Sequence, residues 1–157
     1  MIRRRHVALV AVLAISGLAA SQALAHCQIP CGIYDDELRV QLIAEHIGTI
    51  EKSMNQIVEL GKASPVNYNQ LVRWVNNKEA HAQEIQDIVT AYFMAQRIKA
   101  PEKAEGEAYD AYRRNLELLH RIQVAAMKAK QTTDLEHVET LRALLKKFHK
   151  SYFGDEH

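Results

Sequence analysis

The sequence predicts an all-α protein, an antiparallel four-helix bundle carrying a short N-terminal hook. Three observations predict it. The body of the chain divides into four stretches in which apolar residues recur every three or four positions. The links between these stretches are short, and no segment alternates apolar and polar residues as a half-buried strand would. The 157 residues suffice for one domain with a real core, and a quarter of them are charged in near balance, a profile of folded rather than disordered protein.

Residues 1–25 stand apart from the rest. Arg3, Arg4 and Arg5 form a positive start, Val7 to Ala20 is uncharged and apolar, and Ala23-Leu24-Ala25 has the small-x-small pattern that signal peptidases accept. The apolar run is shorter than the roughly 20 residues of a spanning helix. The segment is therefore expected to be a cleaved export signal, by either the general or the twin-arginine route. The chain would act in the periplasm or outside the cell. Cleavage after Ala25 leaves 132 residues with 17 Lys and Arg against 19 acidic side chains. That slight acidity, with no basic block or phosphate loop, gives no electrostatic case for nucleic acid, and nothing in the mature chain is expected to hold it in a membrane.

The hook follows at 26–34 and the bundle at 35–157. The first helix is expected over about 35–60, with Asp35, Asp36 and Glu37 suited to its positive end and Gly61 placed to stop it. Its stripe is Leu38, Leu42, Ile43, Ile47, Ile50, Met54, Ile57 and Val58. The second runs over about 67–98 on Leu71, Val72, Val75, Ile85, Ile88, Val89 and Tyr92, and is stopped by Pro101; Trp74 reads as a helix-packing residue. The third covers about 105–130, with Tyr109, Tyr112, Leu116, Leu119, Val124 and Met127 as its apolar face. The fourth starts at Thr133, whose spacing to Glu136 is that of a capping box. It carries Leu135, Val138, Leu141, Leu145, Phe148 and Tyr152.

Cysteine placement is the informative oddity. Both cysteines of the mature chain, Cys27 and Cys31, fall in its first six residues. Residue types alone leave a disulfide and a metal site equally open in an exported protein. A bridge closing so small a loop at a chain end would constrain little entropy. Cleavage after Ala25 changes the balance, because it frees the His26 α-amine. That amine, the Cys27 backbone nitrogen and the Cys27 thiolate lie on adjacent short chelate rings, and Cys31 can supply a fourth donor. Two nitrogens and two sulfurs in a plane suit Ni(II) or Cu(II), whereas zinc prefers a tetrahedron. The His26 imidazole can reach an axial position. Pro30 and Gly32 suit a turn that returns Cys31, and Ile29-Pro30 is open to a cis bond.

His26-Cys27-Gln28-Ile29-Pro30-Cys31-Gly32-Ile33-Tyr34-Asp35 resembles the nickel hook of nickel-containing superoxide dismutases, HCxxPCGxYD, at every fixed position and from the expected mature N-terminus. The resemblance implies one nickel per subunit, cycling between Ni(II) and Ni(III) while one superoxide is oxidised to dioxygen and another reduced to hydrogen peroxide. It implies that the metal ligands are His26, Cys27 and Cys31. It further implies that Tyr34 stands by the open face of the metal, that Tyr92 is a second tyrosine approaching the site, and that the bundles form homohexamers. A glutamate and an arginine steady the histidine ring in the family; Glu45 and Arg73 are candidates here, and so are their neighbours. The alternative from a different class is an exported nickel- or copper-binding protein for sequestration or delivery. Gly32, Tyr34 and Asp35 favour the enzyme, since chelation alone does not require them. Glu117 and His120 have a di-iron spacing, but no second such pair accompanies them, and they read as a solvated face.

Overall fold

Helix boundaries in the computed structural model, which describes residues 30–154, follow local chain chemistry closely. Tyr34 and the described residues after it make one compact unit, to which Pro30–Ile33 do not belong. Helix α1 spans Asp36–Lys62, α2 Tyr68–Asp87 with a continuation at Ile88–Arg97, α3 Glu107–Gln131 and α4 Glu136–Phe153. No strand occurs among the described residues.

Asp35 caps α1, its carboxylate accepting from the Leu38 amide at 2.9 Å, and Asn67 caps α2 in the same way from Gln70 at 3.2 Å. The expected capping box at Thr133 is not formed. Asp134 instead accepts from the Glu136 amide and Thr132 from the Asp134 amide, so α4 begins three residues later than its spacing suggested. Gly61 also fails to stop α1, which runs through it to Lys62; the chain turns extended at Ala63, just before Ser64-Pro65. A lone glycine weakens a helix by about 1 kcal/mol, too little to end one whose preceding turns are packed.

Side-chain bonds fix the order of the helices. Ser53 bonds to Asn77 and His46 meets His81 between α1 and α2, while Lys130 reaches Gln83 and Gln123 reaches Thr90 between α2 and α3. Ser151 pairs with Asn115 between α3 and α4, and Arg142 with Glu51 between α4 and α1. In each pair where two such contacts exist, sequence numbers rise on one helix as they fall on the other. The four helices thus form the expected antiparallel ring.

Ile43, Ile47, Ile50, Met54, Ile85, Val89, Leu119, Ile122, Leu141 and Phe148 fill the core. The expected stripes hold at these positions on α1, α2 and α4, but α3 is turned from its expected phase. Of the six residues read as its apolar face only Leu119 is buried, and Met127 is exposed. Leu118, Ile122, Ala125, Ala126 and Ala129 face inward instead. The alanines carry little weight in a stripe read from large side chains, yet they complete the inner face where α3 packs on its neighbours.

The second helix departs from α geometry where the core meets the Tyr34 end. From Ile88 to Arg97 it is wound as a π-helix, and the Ile98 amide bonds to the Phe93 carbonyl, five residues back, at 2.8 Å. The wider winding buries the neighbours Tyr92 and Phe93 together and leaves Gln96 and Arg97 only partly covered.

Candidate functional site

Pro30–Ile33 form a turn, closed by the Ile33 amide on the Pro30 carbonyl at 3.3 Å, with Gly32 at φ +80°. A positive φ at the third residue is the type II geometry that glycine adopts without strain. Cys31 sits second in this turn, as a free and exposed cysteine. His26 and Cys27, and the Ile29-Pro30 bond, lie outside the described residues. Among the described residues, no three His, Cys, Asp or Glu side chains converge as a metal site.

Tyr34 and Tyr92, expected from sequence to share a site, are in contact. Their rings meet edge to face at 5.9 Å between centroids. The contact continues into the core, from Tyr92 to Phe93 at 5.1 Å and from Phe93 to Phe148 at 5.0 Å. Tyr92 is buried; Tyr34 remains 39% exposed and donates a hydrogen bond to Gln96 Oε1 at 3.3 Å.

Around this pair lies a charged network that the residue pattern did not reveal. Asp36, in the first turn of α1, accepts the Tyr92 hydroxyl at 2.5 Å and the Tyr152 hydroxyl at 2.8 Å. Arg97 grips the same carboxylate through Nε and Nη2, each at 2.8 Å for its shortest bond. The Arg97 guanidinium also lies 4.4 Å from the centroid of the Tyr34 ring. Arg39 lies 5.1 Å from the Tyr92 centroid, and its buried Nε has no hydrogen-bond partner among the described residues. Arg97 is already neutralised by Asp36; Arg39 has no carboxylate partner among the described residues.

Burial by itself would raise the Asp36 carboxyl, but the bonds from Arg97, Tyr92 and Tyr152 outweigh it and hold the group below its ordinary range. Tyr92 is pushed up to about 12, first by burial and then by its bond to the Asp36 carboxylate, with the Asp35 amide and Arg97 pulling the other way. Tyr152 rises to about 12 for the same first two reasons. Both phenols are therefore protonated at neutral pH, and both protons point at Asp36.

The two residues offered for steadying the histidine ring lie away from the tyrosine pair, while His26 itself lies outside the described residues. Glu45 lies on α1 nine residues beyond Asp36, about 13 Å along the helix, and is exposed. Arg73 lies roughly 28 Å before Tyr92 along α2, in a surface cleft with Gln70, Trp74 and Asn77. Neither touches the tyrosine pair. Trp74 is half-buried with the Lys52 ammonium 5.8 Å from its ring. Glu117 and His120 are exposed, and Glu117 pairs with Arg121, as a solvated face requires.

A family model described as nickel-containing superoxide dismutase matches residues 21–156, most of the chain, including the hook motif and all four helices. The chain belongs to this family. It is accordingly an oxidoreductase that uses nickel to convert superoxide to dioxygen and hydrogen peroxide. No curated protein and no solved structure matched it. The Tyr34–Tyr92 contact was looked for on the resemblance, whereas Asp36, Arg39, Arg97 and Tyr152 come from the structure alone. The signal available for them was faint: an acidic residue in a helix first turn, and an arginine five positions after the second tyrosine.

Proposed function

We propose that this nickel superoxide dismutase works as an exported chain beginning at His26, with the metal held by the His26 amine and imidazole, the Cys27 amide and thiolate, and the Cys31 thiolate. Tyr34 and Tyr92 are the side chains that meet the reacting anion. The observation that carries the reading is the edge-to-face contact of Tyr34, three residues after Cys31 in sequence, with Tyr92 from a distant helix. The donor set fits the metal chemically, since two thiolates and two nitrogens favour planar Ni(II). Bound there, nickel supplies one-electron exchange between Ni(II) and Ni(III).

The remaining tasks fall to the chain. Two superoxide ions and two protons yield one dioxygen and one peroxide, so the site must admit a small anion and let protons arrive. Tyr34 is half open and keeps a hydroxyl that a small anion can approach. The Tyr92 hydroxyl is committed to Asp36, so it orients rather than exchanges protons at neutral pH. Arg39, whose side chain lies beside the Tyr92 ring with a buried Nε that has no partner among the described residues, offers a positive charge near the pair, which favours an anion.

The export reading rests on the arginine, apolar and Ala-Leu-Ala sequence of residues 3–25. Because the His26 amine exists only after cleavage, nickel is loaded outside the cytoplasm. No helix among the described residues is long and apolar enough to cross a membrane. Homohexamers, as the motif's family implies, would cover exposed apolar residues such as Ile33, Leu38 and Val72; light scattering of the mature protein reads the assembly directly.

The deciding experiment compares superoxide decay catalysed by nickel-loaded chain starting at His26 with that of chain carrying one extra alanine. Rapid decay from the first and little from the second is expected. Equal activity would remove the amine from the ligand set, and inactivity of both despite bound nickel would remove the hook from catalysis.

A further inference from the structure

We infer that the Asp36–Arg97 ion pair is a positioning element for dismutation, setting Tyr92 through its hydroxyl and Tyr34 through the face of its ring. The inference rests on the reading above that these two tyrosines meet superoxide.

A carboxylate offers about four acceptor directions. At Asp36 they are occupied by Tyr92, Tyr152 and the two Arg97 nitrogens, so the group is held at once from the end of α2 and from α4. Arg97 in turn has two working surfaces. Its edge meets Asp36 and its face meets the Tyr34 ring, a division open to a planar guanidinium and closed to an ammonium. Moving either partner therefore moves both tyrosines. The π-helical winding places Arg97 here, five residues after Tyr92 on the same strand of chain.

A second ion pair shows what a purely structural bond looks like in this protein. Arg142 meets Glu51 at 2.6 Å and also joins two helices, yet neither residue has an aromatic contact. The groups facing Tyr92 are Asp36 and Arg39 from α1, Arg97 from its own helix, Tyr152 through the shared carboxylate, and Tyr34. Replacing Asp36 with asparagine removes the only negative charge among them.

The test uses the nickel-loaded mature chain with Asp36→Asn, Arg97→Lys and, as control, Arg142→Gln. Nickel content, helix content, tyrosine ultraviolet titration and kcat/KM for superoxide against pH are measured. Asp36→Asn is expected to keep its nickel, lose about tenfold in kcat/KM, and move both a tyrosine titration and the alkaline limb of the rate profile to lower pH. Arg97→Lys should lose rate by a smaller factor with its helix content intact, and it carries the test if Asp36→Asn does not fold. Arg142→Gln should stay within about twofold of the parent. Parent-like rates and pH profiles in both site variants would overturn the inference, as would an equal loss in Arg142→Gln or a loss that follows lost nickel. Tyr34→Phe and Tyr92→Phe separate the two levels. If they slow the reaction and Asp36→Asn does not, only the inference fails; if neither slows it, the reading of the tyrosines fails and the inference with it.

Discussion

Two charged groups with little exposure, toward opposite ends of the bundle, are satisfied in different ways. Lys78, on α2, is 3% exposed and donates to the carbonyls of Ala129, Lys130 and Thr132, with Glu79 beside it. It supplies the hydrogen bonds that the last turn of α3 leaves open. Asp36, at the other end, is satisfied by Arg97 and two phenols, all side chains with chemistry of their own. A charge answered by backbone fastens a helix end and does nothing more. A charge answered by titratable and aromatic side chains fixes groups that can meet a substrate. The comparison teaches that the partners of a buried charge, more than its burial, separate scaffold from site.

Replacement of Lys78 should break the comparison most visibly. Lys78→Met leaves several carbonyls without a donor and is expected to lower unfolding free energy by about 3 kcal/mol in urea titration. Its kcat/KM per bound nickel should stay within about twofold of the parent. A large loss of rate in the folded, nickel-loaded variant would mean that the two ends are not separable.

Tyr92→Phe should do the reverse. It keeps the ring contacts and removes one bond to Asp36, so stability should fall by about 1 kcal/mol. The rate should fall by about tenfold, equivalent to 1.4 kcal/mol in the barrier. An unchanged rate would sever Tyr92 from the chemistry.

The pH dependence of stability sharpens the contrast. Asp36 has a lowered pKa in the folded state, so its contribution is complete above its ordinary value of 3.8 and fades as pH falls through the lower folded value. Tyr92 and Tyr152 are raised from 10 to about 12, so theirs is complete below pH 10 and fades as pH rises toward 12. In Asp36→Asn both the acid and the alkaline slopes should shrink, in denaturation midpoints measured against pH, with Glu51, held low by Arg142, keeping part of the acid slope. Lys78→Met should leave both slopes in place.

A smaller effect is expected at mid-bundle. Burial, then the facing His81, lowers the pKa of His46, whose Nδ1 lies 2.8 Å from that of His81. Its contribution is present above the ordinary value of 6.5 and lost as pH falls through the folded value, so His81→Asn should flatten the stability curve near pH 6. Arg142→Gln should change least, about 0.5 kcal/mol, because that ion pair is partly solvated.

Much of this was legible in the sequence, and the misses share causes. The hook motif stood out because its residues are chemically unusual and contiguous. The helices stood out because large aliphatic side chains mark their inner faces, and α3 was misphased where alanines do that work. Glu45 and Arg73 stand far along their helices from the tyrosine pair, a distance that one sequence does not reveal. The absent Thr133 box shows a neighbouring side chain, Asp134, winning the Glu136 amide, while Thr132 takes the amide of Asp134.

The sequence by itself determined the four helices, the hook motif, and through that motif the family and its metal. These depend on local spacing and on chemistry within a few residues. Only the tertiary structure decided that Asp36, Tyr92, Arg97 and Tyr152 form one network against Tyr34. Their separations of 56, 61 and 116 residues from Asp36 carry no local signal. Their meeting follows from the antiparallel ring, which returns the end of α2 and the end of α4 to the start of α1, and from the π-helical turn that sets Arg97 beside Asp36.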